Sequence, residues 1–499
     1  MRDVVVLIIG LALSPGVIAQ NSGAISGEWL ITRDVYGNPL YQRMTLTVQN
    51  GKLTGLFSGE KLEGALNGDA LHFIARDEDN NTSEFTGVFN GTTITGKVVE
   101  TDGSDPQEKS ENGMTAVRAP QRPAASPRRY EFMPTVFYRQ FSASNIPVLK
   151  IAPGDTVHTT TVDAGGTDEH GTKRVLGGNP ETGPFYIETA WPGDTLVVHF
   201  NRIRLNRDYA ISDDAMVERV LDPDMSVKMK DGGKTVRWHL DLQRGIATSE
   251  RPGDHLKEFS VSVRPMLGCV ATAPGFASAP PPTGDSGRYG GNMDFNEIVE
   301  GAIVYLPVDQ PGALLYVGDG HAAQGDGELN GNALETSMDV EFTVDVLHGK
   351  RIHTPRVESD SQIMTVGLGG SIEDALQTAI SGMAQWLEQD YRLTPSEIAQ
   401  VLGTSTQLNI NEVADRNAGV AAKLSKSRLQ PLGSRKEKAH YKSSSRKIPI
   451  KLVTNKLQVR APQFIAGFLR KNENYWAKGN LWAKPQTDEL CDSSKIAGP

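Results

Sequence analysis

The chain has 499 residues, a formal net charge of −9 and two cysteines. Its length exceeds what one hydrophobic core fills, roughly 250 to 300 residues, so more than one domain is expected. The acidic balance excludes a global basic field for nucleic acid as main partner, and two cysteines exclude a disulfide framework.

The N-terminus, MRDVVVLIIGLALSPGVIAQ, joins an early Arg2, an apolar run from Val4 to Leu13, a Pro15-Gly16 break and the small Ala19. This is the pattern of a secretory signal peptide, residues 1–19, which predicts a periplasmic or secreted protein. The run is too short for a comfortable membrane span, and no other stretch is long and apolar enough, so no membrane association is expected after cleavage.

Residues 20–118 read as a small β domain. GEWLITR, MTLTVQNGKLTGLFSG, EGALNGDALHFIAR and SEFTGVFNGTTITGKVVE alternate apolar and polar residues between NG and GD turns, predicting an antiparallel barrel or sandwich of about six to eight strands. Through Gly27-Glu28-Trp29 and this meander it loosely resembles lipocalin-like modules. Such a domain serves either as a ligand cup or as an accessory docking unit. Residues 119–131 follow as a proline-rich, basic linker with nothing periodic to pack.

From 132 to about 431 the chain is β-rich with few helices. VLKIAPGDTVHTTTVDAGG and PFYIETAWPGDTLVVHFNRIRL each place a Pro-Gly-Asp turn before an alternating strand, suggesting two related β units stacked in one core. In HLDLQ, His239 and Asp241 alternate to one strand face, either as a contribution to a site or as an exposed polar face. Cys269, in PMLGCVATAP, reads as a small buried residue. Ser371–Glu388 is the strongest helix: Ser371 can cap it, and Ile372, Ala375, Leu376, Ala379, Ile380, Met383 and Trp386 share a face. Thr394–Val401 is a second helix, with Pro395 at its first position and Glu397 in its first turn. Residues 432–499 form a basic, serine-rich extension, read as solvated and poorly ordered rather than as a nucleic-acid grip.

Tyr289–Glu335 stands out chemically. A strand-like core, Gly301–Val317, separates GGNMD, with Asn292 and Asp294, from GDGHAAQGDGE, with Asp319, His321, Asp326 and Glu328. Glycine-rich loops let carboxylates and an imidazole converge on one point. Each of these residues also has a plainer use: Asp319, Asp326 and Asn292 as turn formers, His321 as a partner of a backbone carbonyl.

Gly183-Pro184-Phe185-Tyr186-Ile187 before Pro192-Gly193-Asp194, Pro265-Met266-Leu267-Gly268, Gly290-Gly291-Asn292-Met293-Asp294, Tyr305-Leu306-Pro307-Val308, Pro311-Gly312-Ala313-Leu314 and Gly318–Glu328 together resemble the acetamidase/formamidase family. The resemblance covers roughly Phe132 to Leu429. It implies a β-rich fold, bound metal, frequent oligomers, here a homo-oligomer, and hydrolysis of short aliphatic amides to carboxylate and ammonia, with lactam opening in some relatives. Asp163 and Glu188 fall at family-like positions as weaker candidates.

The residues support similar chemistry on their own terms. Amide hydrolysis needs an activated nucleophile, a polariser for the carbonyl oxygen and a proton donor for the leaving nitrogen. No G-x-S-x-G elbow, S-x-x-K or paired Cys-His signature can be placed to supply a side-chain nucleophile. A metal-activated water is the economical alternative, on zinc in the first instance or calcium. Asp294, Asp319 and His321 are the expected ligands, with Asn292 a fourth ligand or an amide-orienting group. Glu328 is the expected general base, and Asp326 the group that fixes the His321 tautomer. A cyclic amide, or a non-catalytic binding role for small molecules or carbohydrate, are the alternatives.

Overall fold

The computed structural model describes residues 25–120, 126–229, 232–275 and 279–432. The expected signal peptide, linker residues 121–125, and the extension beyond Leu432 with Cys491 lie outside the described residues.

Eight antiparallel strands, from Gly27–Val35 to Lys109–Arg118, run in sequence order and close into a barrel, the first strand pairing with the last. The hairpins close as their turn residues dictate: Asn50 and Gly51 take φ of 51° and 79°, the left-handed pair of a type I′ turn. Alternation sends Trp29, Met44, Leu53, Phe57, Leu62, Phe73, Phe85 and Val98 inward, where all are buried. Phe73 stacks on Phe85 with ring centroids 5.0 Å apart, and Trp29 Nε1 donates to Ile25 O at 2.8 Å. These side chains fill the middle of the barrel, so it is no deep cup; a polar hollow of about 490 Å³ opens at one mouth beside Gln42, Phe57 and Glu100.

The barrel docks on the larger domain. Arg43 Nη2 reaches Asp194 Oδ1 at 2.5 Å, Trp191 Nε1 donates to Gln42 O at 3.3 Å, and Tyr41 meets Trp191 edge-on at 5.5 Å. Asp194 closes the second Pro-Gly-Asp turn and accepts from Trp191 N at 3.0 Å, as Asp155 closes the first and accepts from Ala152 N at 2.8 Å. The two turns are alike, but the strands they launch, Thr156–Thr160 and Thr195–Leu205, are not stacked as expected. They lie in one sheet on either side of Met338–Leu347.

That sheet has nine strands and faces a second of twelve among the described residues. The core between them holds Phe185, Phe200, Leu267, Leu315, Val317, Val340 and Phe342, with Phe342 edge-on to Phe185 at 5.2 Å. Arg129–Glu131, expected in the linker, forms an edge strand parallel to Thr156–Thr160, so the large domain begins earlier than predicted. The helix Ile372–Trp386 lies on the outer face of the nine-stranded sheet, against the strand Gln362–Gly369. Ser371 accepts from Asp374 N, as a cap should, and Ala375, Ala379, Met383 and Trp386 are buried. Ile372, at the first turn, is 43% exposed, outside the packed stripe. The second helix runs Pro395–Ser405, about a turn beyond the predicted end, and opens with a capping box between Thr394 and Glu397.

Candidate metal centre

The site forms where the two sheets meet, and its groups come from five segments. Asp319 and His321 end the strand Leu315–His321, whose register sets Glu335 opposite His321 across the sheet. Asp294 follows the strand Gly290–Asn292, its backbone N–H donating to Gly268 O at 3.1 Å. Glu328 lies in the glycine-rich loop after His321, while Glu412 and Asp415 come from the end of the strand Gln407–Glu412 in the other sheet. Asp294, Asp319 and Glu328 all have left-handed backbone, at φ of 42°, 53° and 49°. Aspartate tolerates this region better than most residues, and such conformations persist only where surrounding structure enforces them.

His321 is at the centre and fully buried. Its Nε2 lies 3.2 Å from Glu335 Oε1, 3.3 Å from Asp319 Oδ2, 3.9 Å from Glu328 Oε1 and 4.0 Å from Asp294 Oδ1. Its Nδ1 is 2.8 Å from Gln324 Oε1. The Gln324 amide is itself oriented, because its Nε2 donates to Asp294 O at 2.6 Å and to Asn411 O at 3.3 Å. The oxygen must then face the ring, so Nδ1 carries the proton and Nε2 is left as a lone pair aimed at carboxylates. An acceptor ringed by acceptors is stable only with a proton or a cation between them.

The structure is built to leave that space. Asp294 Oδ1, Asp319 Oδ1, His321 Nε2, Glu335 Oε2 and Glu412 Oε2 are buried without a hydrogen-bond partner. A Cβ on Gly268 would lie 2.2 Å from Asp319 Oδ2 and 2.4 Å from Asp294 Oδ1, so a side chain there would displace both. Ligand atoms of Asp294, His321 and Glu328, and those of Asp319, His321 and Glu335, fall within 4.8 Å of one another. That spacing is close to the span across an ion bound at about 2.0 to 2.2 Å. One imidazole nitrogen among carboxylate oxygens suits a zinc-like or harder divalent cation, and the residues present fit such an ion.

Charge crowding leaves its mark on protonation. Burial, reinforced by neighbouring carboxylates, pushes Asp294 and Glu328 well above the usual carboxyl range. Burial and then Asp319 push Glu335 up to about 8. For His321 burial works against the charged form but is outweighed by Glu335 and Asp319, which raise it.

Of the residues expected from sequence, Asp294, Asp319, His321 and Glu328 come together. Asn292 is not placed as a ligand: its Nδ2 donates to Asp294 Oδ2 at 2.9 Å and to Asp415 Oδ2 at 2.6 Å, holding two carboxylates in position. Asp326 does not fix His321; it is exposed and accepts from Asn296 and Asn409, and Gln324 takes the role instead. His239 is exposed, and Asp241 caps a turn by accepting from Gln243 N and Arg244 N. Asp163 is paired with buried Arg207 at 2.7 Å, and Glu188 is exposed. Cys269 is buried, as expected, next to Glu181, and burial pushes its thiol up, away from nucleophilic use. Glu335, Glu412, Asp415 and Gln324 were missed. Only Gln324 had a legible signal, three residues after His321 in the same glycine-rich loop.

Residues 277–382 match the profile of the Acetamidase/Formamidase family. A Schizosaccharomyces pombe protein named "Putative formamidase" is 51% identical over 41 residues, which is 8% of this chain and 10% of that protein. The fold is similar to that of a predicted acetamidase/formamidase from Thermoanaerobacter tengcongensis, with a TM-score of 0.53 and 26% identity over 62% of this chain and 99% of the other. An acetamidase from Yersinia enterocolitica gives a TM-score of 0.53 and 26% identity over 61% and 94% of the two chains. One from Bacillus halodurans gives 0.52 and 25% over 61% and 100%. Part of the chain thus matches the profile of the acetamidase/formamidase family, and the fold is similar to that of solved acetamidases.

Proposed function

We propose that the chain is a metal-assisted amidohydrolase that converts a short linear amide of the formamide or acetamide type to its carboxylate and ammonia. The observation that carries this reading is His321 Nε2, fully buried, held as a lone pair by Gln324 and surrounded by carboxylates, in a chain whose residues 277–382 match this family's profile. Asp319, His321 and Glu335 would hold the ion, with Asp294 beside them. Bound there, a divalent ion supplies a Lewis acid for the amide carbonyl and lowers the pKa of water. Glu328 takes a proton as the water oxygen bonds to the carbonyl carbon, and returns it to nitrogen as the carbon–nitrogen bond breaks. Its burial raises the proton affinity of the carboxyl, as a base beside a cation needs. Asn292 and Gln324 touch no reacting atom; they hold the carboxylates and the imidazole in place. We also read the mature protein as exported and homo-oligomeric.

The test is metal analysis with an ammonia-release screen on formamide and acetamide, for wild type and His321→Ala. We expect bound divalent metal and ammonia release in the wild type, and in the variant loss of ammonia release and of the ion that His321 holds. Full activity of His321→Ala would sink the ligand role, and a metal-free, inert wild type would sink the reading.

A further inference from the structure

We propose that the cleft between the barrel and the large domain is a binding site for a monocarboxylate with an apolar body, held at its carboxylate by Arg351. The cleft encloses about 1030 Å³ beside the Arg43–Asp194 contact that docks the two domains. Formamide or acetamide would fill a small fraction of it, whereas sites for larger organic molecules run from about 300 to 1,000 Å³. None of its lining residues belongs to the metal centre, so the proposal stands apart from the amidohydrolase reading.

The lining combines an apolar wall with one free cation. Barrel strands Asn38–Gln49 and Lys52–Phe57 bring Leu40, Tyr41 and Leu56, and the large domain brings Pro192, Pro274 and Tyr289. Leu56 faces outward from the barrel and is 43% exposed, an apolar side chain that the barrel core does not use. Five charged residues also line the cleft. Four are already matched: Glu28 with Arg43, which also holds Asp194, and Arg288 with Asp309. Arg351 is the fifth, and among the described residues nothing pairs with its guanidinium.

The backbone beneath Arg351 is fixed while its side chain is left open. Gly349 N donates to Asp194 Oδ1 at 2.7 Å, Lys350 Nζ to Asp390 Oδ1 at 2.5 Å, and Gln389 Nε2 to Arg351 O at 3.1 Å. Positive potential here also shows in His353, whose imidazole is held below its ordinary value by burial and then by Arg351, Arg288 and Arg356. A guanidinium presents a planar fork that matches a carboxylate through two parallel hydrogen bonds. A phosphate monoester carries close to two charges and would call for a second free cation, which the lining does not supply. The single open fork therefore selects a carboxylate, and the leucines, prolines and tyrosine rings around it select an apolar body.

The experiment is isothermal titration calorimetry on the metal-loaded full chain, with sodium octanoate, octanol, acetate and octyl phosphate as probes. Octanoate should bind one per chain. Octanol and acetate should each bind about tenfold more weakly or worse, since each lacks one half of what the cleft recognises. Arg351→Gln should weaken octanoate about tenfold or more, and Leu56→Asp should do the same by placing a like charge on the apolar wall. Both positions are exposed, so the variants should fold and keep ammonia release and metal content within about twofold of wild type. Octanoate binding that Arg351→Gln leaves unchanged overturns the proposal, because the carboxylate then sits elsewhere, the metal centre included. It is overturned equally if wild type binds no octanoate, or binds octyl phosphate more tightly than octanoate.

Discussion

Replacing Gln324 with alanine tests whether the imidazole is held for metal by a single amide. The substitution removes the acceptor 2.8 Å from His321 Nδ1 and the donor 2.6 Å from Asp294 O. A buried ring N–H and a buried carbonyl are left unpaired, at a cost of about 1 to 3 kcal/mol each. The ring is then free to turn or change tautomer, which takes Nε2 off its target. At about 1.4 kcal/mol per factor of ten, metal affinity should fall roughly 10- to 100-fold, the range usual for groups that orient a ligand from behind. Competition with a chromophoric chelator measures this directly. Gln324→Met, which keeps length but not polarity, should behave like the alanine variant. The reasoning fails if either variant binds metal within twofold of wild type, and equally if methionine rescues what alanine loses, because packing would then be the cause.

Three further outcomes are expected. Gly268→Ala should lose metal, because its Cβ would fall 2.2 Å from Asp319 Oδ2; a full metal complement by elemental analysis would contradict the close approach. Asp326→Ala should change metal content and amide hydrolysis by less than about twofold, since its exposed carboxylate serves only Asn296 and Asn409. The metal-free protein should lose stability as pH rises. Burial raises Asp415 to about 6, Glu412 to about 7 and Glu335 to about 8, so between pH 4.5 and 8 the native state holds protons that the unfolded chain has released. Their contribution is complete below the ordinary carboxyl range and is lost through those values, on the order of a few kcal/mol in sum. His321, also raised, adds a loss of the same sign. Urea unfolding in chelator at pH 5, 6.5 and 8 checks this; a stability that is flat or rises with pH would refute it, and added metal should flatten the decline.

Local rules were readable and distant convergence was not. The barrel follows from hairpin turns such as Asn50-Gly51, where the residue types and the backbone handedness coincide. The Ser371 and Thr394 caps follow from neighbours three residues on. Asp294, Asp319, His321 and Glu328 were visible because glycine flanks them within one stretch. Glu412 and Asp415 sit in INEVADRN with no glycine beside them, and only the pairing of Gln407–Glu412 at the edge of the opposite sheet brings them in. Glu335 needed the strand register that sets it across from His321. Asp326 misled because proximity in sequence stood in for direction: its loop turns the carboxylate out to solvent, while Gln324 points back.

The left-handed backbone at Asp294, Asp319 and Glu328 bears on how far this protein can be made durable. At each position glycine would relieve the conformation and remove a buried charge at once, so the metal-free scaffold should gain robustness from the very substitutions that abolish its chemistry. Consensus or stability-guided engineering that weighs only the empty scaffold would therefore erode the centre first, and selection for thermal tolerance needs metal present throughout.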